Sequence, residues 1–180
     1  MIEQERHKFR LSATTLALFQ SCPRCFWLEK NRKVKRPRGI FPSLPGGMDR
    51  VIKTYFDGYR QNGGLPPEVE GKVLGRLFPD LVRLNRWRDW KTTDLAYTDQ
   101  GLNVTLSGAL DDCLVDGERY IPLDYKTHGY GAKQESVVFY QHQLDCYCLM
   151  LEASGFRVYR HLMVDLLPYP HVLYVAEART

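Results

Sequence analysis

GALDDCLVDGERYIPLDYKT, running from Gly108 to Thr127, is the stretch on which the reading of the fold turns. Into it, Val104, Leu106, Gly108 and Leu110 alternate with Thr105, Ser107, Ala109 and Asp111, the two-residue period of a half-buried strand. Asp116-Gly117 is a strong hairpin signal, because glycine accepts the positive φ of a tight turn. On the return, Ile121, Leu123 and Tyr125 point one way and Asp124 and Lys126 the other, since residues two apart share a strand face. Such a hairpin brings Asp111, Asp124 and Lys126 within reach of one another.

Those three side chains can hold a divalent cation beside a phosphate. Mg²⁺ takes carboxylate, carbonyl and water oxygens and is commonly shared between a few protein groups and substrate phosphate. Asp111 and Asp124 offer two carboxylates, with the backbone carbonyl of Tyr125 beside them. A cation there acidifies bound water and offsets charge on phosphoryl oxygens, and Lys126 adds positive charge for the transition state. The set suits phosphodiester hydrolysis. An Asp-x-Lys pair also reads as a plain solvent-facing strand, so the flanking segments have to decide.

Upstream, Ser12 is the expected N-cap of a first helix, with Leu11 stapling onto Leu16. Leu16, Phe19 and Phe26 continue its apolar face, and Pro23 kinks or restarts it. The Cys22-x-x-Cys25 pair then falls inside or at the end of that helix. Residues 30–47 form a basic, Pro/Gly-rich loop. A second helix starts near Gly47, with Met48, Val51, Ile52, Tyr55, Phe56 and Tyr59 as one apolar stripe and Asp49, Lys53, Asp57 and Arg60 on the neighbouring face. It stops at Asn62-Gly63-Gly64. A third opens with Pro79 at its first position and turns Leu81, Val82, Leu84 and Trp87 inward, leaving Arg76, Arg83, Arg86 and Arg88 outside.

Downstream, a helix spans about 133–153 with Phe139, Leu144, Tyr147 and Leu151 on its buried side. Arg157–Val164 and His171–Val175 are two closing strands separated by Pro168 and Pro170. The order predicts an α/β fold, a mixed central sheet flanked by helices, within a single domain over 1–180.

The 180 residues are 44% hydrophobic and 26% charged, a globular composition. Net charge is only +4, so distribution matters more than total. Lys30, Arg32, Lys33, Lys35, Arg36 and Arg38 form one run without an acid, which serves either as a solvated loop or as a phosphate-contacting arm. The start of the chain has no apolar signal-peptide core and no segment is apolar enough to span a bilayer, so a cytoplasmic protein without membrane contact is expected. Five irregularly spaced cysteines fit reduced thiols.

The spacing G-x-x-D, then D-Y-K-T, resembles the core signature of the PD-(D/E)XK nuclease superfamily in its RecB-like branch, which includes CRISPR-associated exonucleases. Leu11-Ser12-Ala13 through Cys22-Pro23-Arg24-Cys25-Phe26 is similar to the first helix of that branch, and Gln143-x-x-x-Tyr147 looks like its Q-x-x-x-Y motif. The three stretches occur in the family's order.

The resemblance implies a restriction-endonuclease-like core and an enzyme that hydrolyses DNA phosphodiester bonds with Mg²⁺ or Mn²⁺. Its DNA would be single-stranded or carry free ends, as in repair, recombination or CRISPR-related processing. Asp111 and Asp124 would be metal ligands, Lys126 the catalytic lysine, and Gln143 and Tyr147 would border the site. The branch commonly has a His or Glu on the upstream helix, where this chain has Pro45-Gly46-Gly47-Met48-Asp49-Arg50. Asp49 is the substitute third ligand, or else it pairs with Lys53 at i,i+4 or with the helix N-terminus.

Several relatives hold an iron-sulfur cluster on one early and three late cysteines, and nothing after Cys148 could fill the late positions, so no cluster is expected. A zinc site from Cys22, Cys25, Cys146 and Cys148 has unusual spacing. Strand alternation turns Asp112 away from Asp111. Two further readings stay open: a non-catalytic nucleic-acid-binding module on the same fold, and a small-molecule hydrolase.

Overall fold

Ser12 opens the helical part of the chain through a capping box: its Oγ accepts from the Thr15 amide at 3.3 Å, and Thr15 Oγ1 accepts from the Ser12 amide at 2.7 Å. The computed structural model describes residues 9–37, 44–92, 94–126, 134–159, 163–165 and 171–175, with the backbone alone for 44–46, 134–139, 163–165 and 171–175. Strand β1 (Phe9–Leu11) leads into α1 (Ala13–Ser21), and α2 (Pro23–Arg32) follows at once. Pro23 therefore restarts the helix. It takes the first helical position, where its missing N–H costs nothing. Cys22 is both the C-cap of α1 and the N-cap of α2, so the Cys-x-x-Cys pair falls at the end of one helix, as expected, and at the start of the next.

Helix α3 (Leu44–Gln61) begins three residues before the expected start at Gly47. Ile52 and Phe56 are buried while Val51 and Tyr55 are exposed, so the apolar stripe that faces the core is narrower than the sequence stripe. After β2 (Arg76–Leu77) comes α4 (Leu81–Arg88), capped by Asp80, whose Oδ1 accepts from the Arg83 amide at 2.9 Å. Pro79 thus precedes the cap instead of opening the helix, because the Asp80 carboxylate can satisfy a free amide and proline cannot. Leu84 and Trp87 are buried, whereas Val82 faces solvent.

The remaining elements are β3 (Ala96–Asp99), β4 (Val104–Ser107), β5 (Asp112–Asp116), β6 (Arg119–Lys126), α5 (Gln134–Ala153), β7 (Arg157–Val158), β8 (Met163–Asp165) and β9 (His171–Val175). A small sheet runs β1-β4-β3, with β1 parallel and β3 antiparallel to β4. The larger runs β2-β5-β6-β9-β8. The β5–β6 hairpin pairs Asp116 with Arg119 around a two-residue turn in which Gly117 has φ +58, a value that favours glycine. On its other edge β6 pairs antiparallel with β9 along Leu123–Lys126 and parallel with β7 at Arg119–Tyr120. The expected closing strand over 157–164 is accordingly two short strands. This is an α/β fold with mixed sheets flanked by five helices among the described residues.

The strand expected through Asp111 is broken. β4 ends at Ser107 and β5 begins at Asp112, in the other sheet. Between them the amide of Gly108 donates to Leu95 O at 3.4 Å and that of Leu110 to Trp87 O at 3.0 Å. A Cβ at Gly108 would lie 3.0 Å from Met150 Cε and 3.4 Å from Tyr147 Cε1. The crossing is therefore fitted under α5, a constraint that alternation cannot reveal.

Both faces of β6 are covered. On one, Ile52 and Phe56 of α3 pack with Leu114, Ile121, Leu123 and Tyr125. On the other, Leu144, Met150 and Leu151 of α5 pack with Leu84 and Trp87 of α4 and Cys113 of β5. Burying each such side chain contributes roughly 1.5–3 kcal/mol. Asp124, in the middle of β6, is consequently buried, whereas Arg119 and Lys126 at the strand ends keep contact with solvent. Among the described residues no helix is long and apolar enough to cross a membrane.

Candidate active site

Asp124 lies on β6 at 1% exposure, between the helical layers. Its Oδ1 accepts from Gln143 Nε2 at 2.9 Å, and the same amide nitrogen reaches Tyr147 Oη at 2.6 Å. One helical turn separates Gln143 from Tyr147 on α5, so both present one face to the strand. Asp124 Oδ2 is buried without a hydrogen bond of good geometry, although Lys126 Nζ forms an ion pair with it. Lys126 also lies over the Tyr140 ring at 5.0 Å from its centroid.

Asp111 stands at the crossing between the sheets. Its Oδ2 accepts from the Tyr125 amide at 3.0 Å, and its Oδ1 pairs with Lys53 Nζ at 2.8 Å. Burial first, and then the nearby Asp111 carboxylate, push the Asp124 pKa up to about 7. Asp111, Asp124, Lys126, Gln143 and Tyr147 thus come together. Burial and then the two carboxylates raise the Tyr147 hydroxyl well above its ordinary value.

Asp49 does pair with Lys53 at i,i+4, at 2.9 Å. Lys53 spans from there to Asp111, so one ammonium links Asp49 to the site. Burial opposes the charge on Lys53, but Asp111 and then Asp49 hold its pKa above the ordinary lysine value. Because α3 starts early, Asp49 sits beyond its first turn, and the helix N-terminus is not its partner.

Behind the site is a buried charge cluster that sequence reasoning missed. Asp112, fully buried, accepts from Arg60 Nη2 at 2.6 Å, from Arg88 Nη2 at 3.2 Å and from Tyr125 Oη at 2.5 Å. Asp57 completes the cluster with Arg60 at 3.2 Å and Arg88 at 2.7 Å. Arg88 Nε also donates to the Asp111 carbonyl at 2.8 Å. The Asp49, Lys53, Asp57, Arg60 stripe of α3 is thus the face that supplies the polar layer, a signal present in its helical spacing. Arg88 was expected outside and is turned inward; nothing in a helix with several arginines singles it out.

Within the basic run several side chains have local partners. Lys30 Nζ donates to Arg10 O at 3.0 Å, Arg32 lies over Trp27, and Lys33 caps α2 with φ 58 and donates to Lys30 O at 3.1 Å. Arg36 lies beside the sulfurs of Cys25 and Cys22, Lys35 is exposed and Arg38 lies outside the described residues. Arg83 and Arg86 pair with Asp80 and Asp94. Cys113, Cys146 and Cys148 are buried. His142 Nε2 is 3.3 Å from Ala13 O. The expected Phe139 contact, Pro168, Pro170, His128 and His161 fall outside what the structure describes.

Among the described residues no group of three or more His, Cys, Asp or Glu side chains forms a ligand cluster. Asp111 and Asp124 nonetheless fit a hard cation. Their oxygens are the right donors, Asp124 Oδ2 is buried with Lys126 as its ion-pair partner, and burial and then the neighbouring Asp111 carboxylate disfavour the charge on Asp124, which a cation would offset.

The class defined by this fold and site is an α/β protein with a restriction-endonuclease-like core carrying an Asp, Asp-x-Lys set. A family model for the PD-(D/E)XK nuclease superfamily matches residues 48–169, more than half of the chain, and the chain belongs to that superfamily. Comparisons with curated proteins and with solved structures found no match.

Proposed function

We propose that the protein is a metal-dependent nuclease of the RecB-like kind that hydrolyses phosphodiester bonds of single-stranded or free-ended DNA. The observation that carries this reading is the junction of Asp111, Asp124 and Lys126 beside Gln143, in which the buried Asp124 carboxylate has one oxygen held by Gln143 and the other ion-paired with Lys126. Asp111 and Asp124 would hold Mg²⁺ or Mn²⁺, which supplies an acidified water and Lewis acidity toward a phosphoryl oxygen. Asp49 is proposed as an outer member of the set, reached through Lys53.

The chain's own groups do the rest. Gln143 fixes the rotamer of Asp124 by donating to Oδ1, and Tyr147 shares the same donor. Lys126 is the mobile positive charge: it leaves Asp124 to stabilise charge building on the scissile phosphate, an interaction worth more in a dry site than in water. Lys53 similarly neutralises Asp111 until substrate and cation arrive. The cluster of Arg60, Arg88, Asp57 and Asp112 keeps Asp111 and Tyr125 in place. Lys30 and Lys35 of the basic run are proposed to meet the DNA backbone. Five free thiols suit a cytoplasmic compartment.

The test is incubation with end-labelled single- and double-stranded DNA in Mg²⁺, Mn²⁺ or EDTA. Cleavage is expected with either cation, faster on the single strand, and none in EDTA. Salt-sensitive binding without cleavage would instead favour a non-catalytic module.

A further inference from the structure

A cleft of about 650 Å³ opens beside the site, its lining including Gln143 and Tyr147, which are hydrogen-bonded to each other, with Gln143 bonded also to Asp124. Its outer walls come from the start of α1, the end of β4 and the segment after α4. Arg10, Lys30, Lys91 and Trp90 are among its lining, in which no carboxylate side chain occurs among the described residues. The volume is in the range, about 300–1,000 Å³, of clefts that hold ligands.

Trp90 is 70% exposed, whereas Trp87, three residues earlier, is 3% exposed within the core. This large indole face is left in water, with Lys91 Nζ 5.8 Å from the ring centroid. Lys30 uses one donor on Arg10 O, and burial lowers its pKa, a charge that a nearby anion would favour. Cations of one sign beside an exposed flat ring suit a ligand with repeated negative charge and unpaired π faces. Single-stranded nucleic acid has both; a duplex hides its base faces in its own stack.

We propose that this cleft receives single-stranded DNA, with phosphates against Arg10, Lys30 and Lys91 and a base stacked on Trp90, leading the strand past Gln143 and Tyr147. The direction of travel rests on the nuclease reading of the site; binding in the cleft does not. The strand path is thus assigned to α1 and Trp90, and of the basic run Lys30 alone lines it.

The experiment is fluorescence titration of a Trp27→Phe protein with oligothymidylate in EDTA, where no cleavage can occur. Trp27 is the other half-exposed tryptophan, so quenching then reports Trp90. Saturable, salt-sensitive quenching is expected, with little from an abasic oligomer of equal charge. Trp90→Ala and Lys91→Ala, titrated by the anisotropy of a 5′-fluorescein-labelled oligothymidylate because the first substitution removes the fluorescent reporter, should each weaken binding, the first by about tenfold. An unquenched Trp90, or Trp90→Ala binding as tightly as wild type, overturns the proposal. Both residues are surface-exposed, so folding is not at stake. Quenching in a protein that cleaves nothing would uphold the cleft and sink the nuclease reading; cleavage with Trp90 silent would do the reverse.

Discussion

Asp111 and Asp112 are adjacent in sequence, yet their carboxylates serve separate charge systems. Asp111 meets Lys53 and the Tyr125 amide at the edge of the site, at 2.8 and 3.0 Å. Asp112 meets Arg60, Arg88 and the Tyr125 hydroxyl in the interior. Tyr125 is bonded to both, through its main chain to one and its side chain to the other. The site and its support are therefore mechanically one unit.

Removing the interior partner should unfold more than it should inactivate. Asp112→Ala leaves Arg60 and Arg88 buried with half their compensation, and a broken buried pair costs about 3–5 kcal/mol. Urea unfolding should show that loss, while Glu118→Ala, which breaks the exposed pair with Arg157, should leave the midpoint unchanged. Equal effects of the two would contradict the assignment.

Stability of the metal-free protein should fall with rising pH around Asp124. Its folded pKa, about 7, is above the ordinary value of 3.8, so the folded state holds a proton that the unfolded chain has lost. The stabilisation is complete below about pH 4 and is lost as pH rises through 7. Asp124→Asn should remove this dependence, becoming more stable than wild type at about pH 8 by on the order of a few kcal/mol. Parallel pH profiles in EDTA for the two proteins would count against it.

Cys22 should react well before the buried Cys113 and Cys146. Hydrogen bonding from Cys25 and then Arg36 bring its pKa down to about 7, while burial raises Cys146 to about 11 and Cys113 higher still. Brief alkylation near neutral pH followed by peptide mapping should find label on Cys22 well before Cys113 and Cys146; uniform labelling would refute the ranking.

The parts legible in the sequence are those set by short-range periodicity. Asp124 and Lys126 are two apart on a strand, and Gln143 and Tyr147 four apart on a helix, so spacing alone places each pair on one face. The first helix is readable from Ser12 and Pro23, because caps act locally. What lies beyond reach depends on packing between distant elements. Alternation runs on through Gly108 to Asp111, yet Leu95, Trp87 and α5 claim that segment and break the strand. Arg88 looks like any surface arginine until Asp57 and Asp112 are seen behind it. Asp49 keeps its helical partner Lys53 but acquires, through it, a link to Asp111 that no spacing rule supplies.

The most direct test of the central claim is DNA cleavage in Mn²⁺ by wild type, Asp124→Ala and Lys126→Ala, with circular dichroism verifying that each is folded. Wild type should cut, and each variant should lose at least about 10²–10³-fold in rate. Cleavage that survives both substitutions would place the chemistry elsewhere and contradict the account.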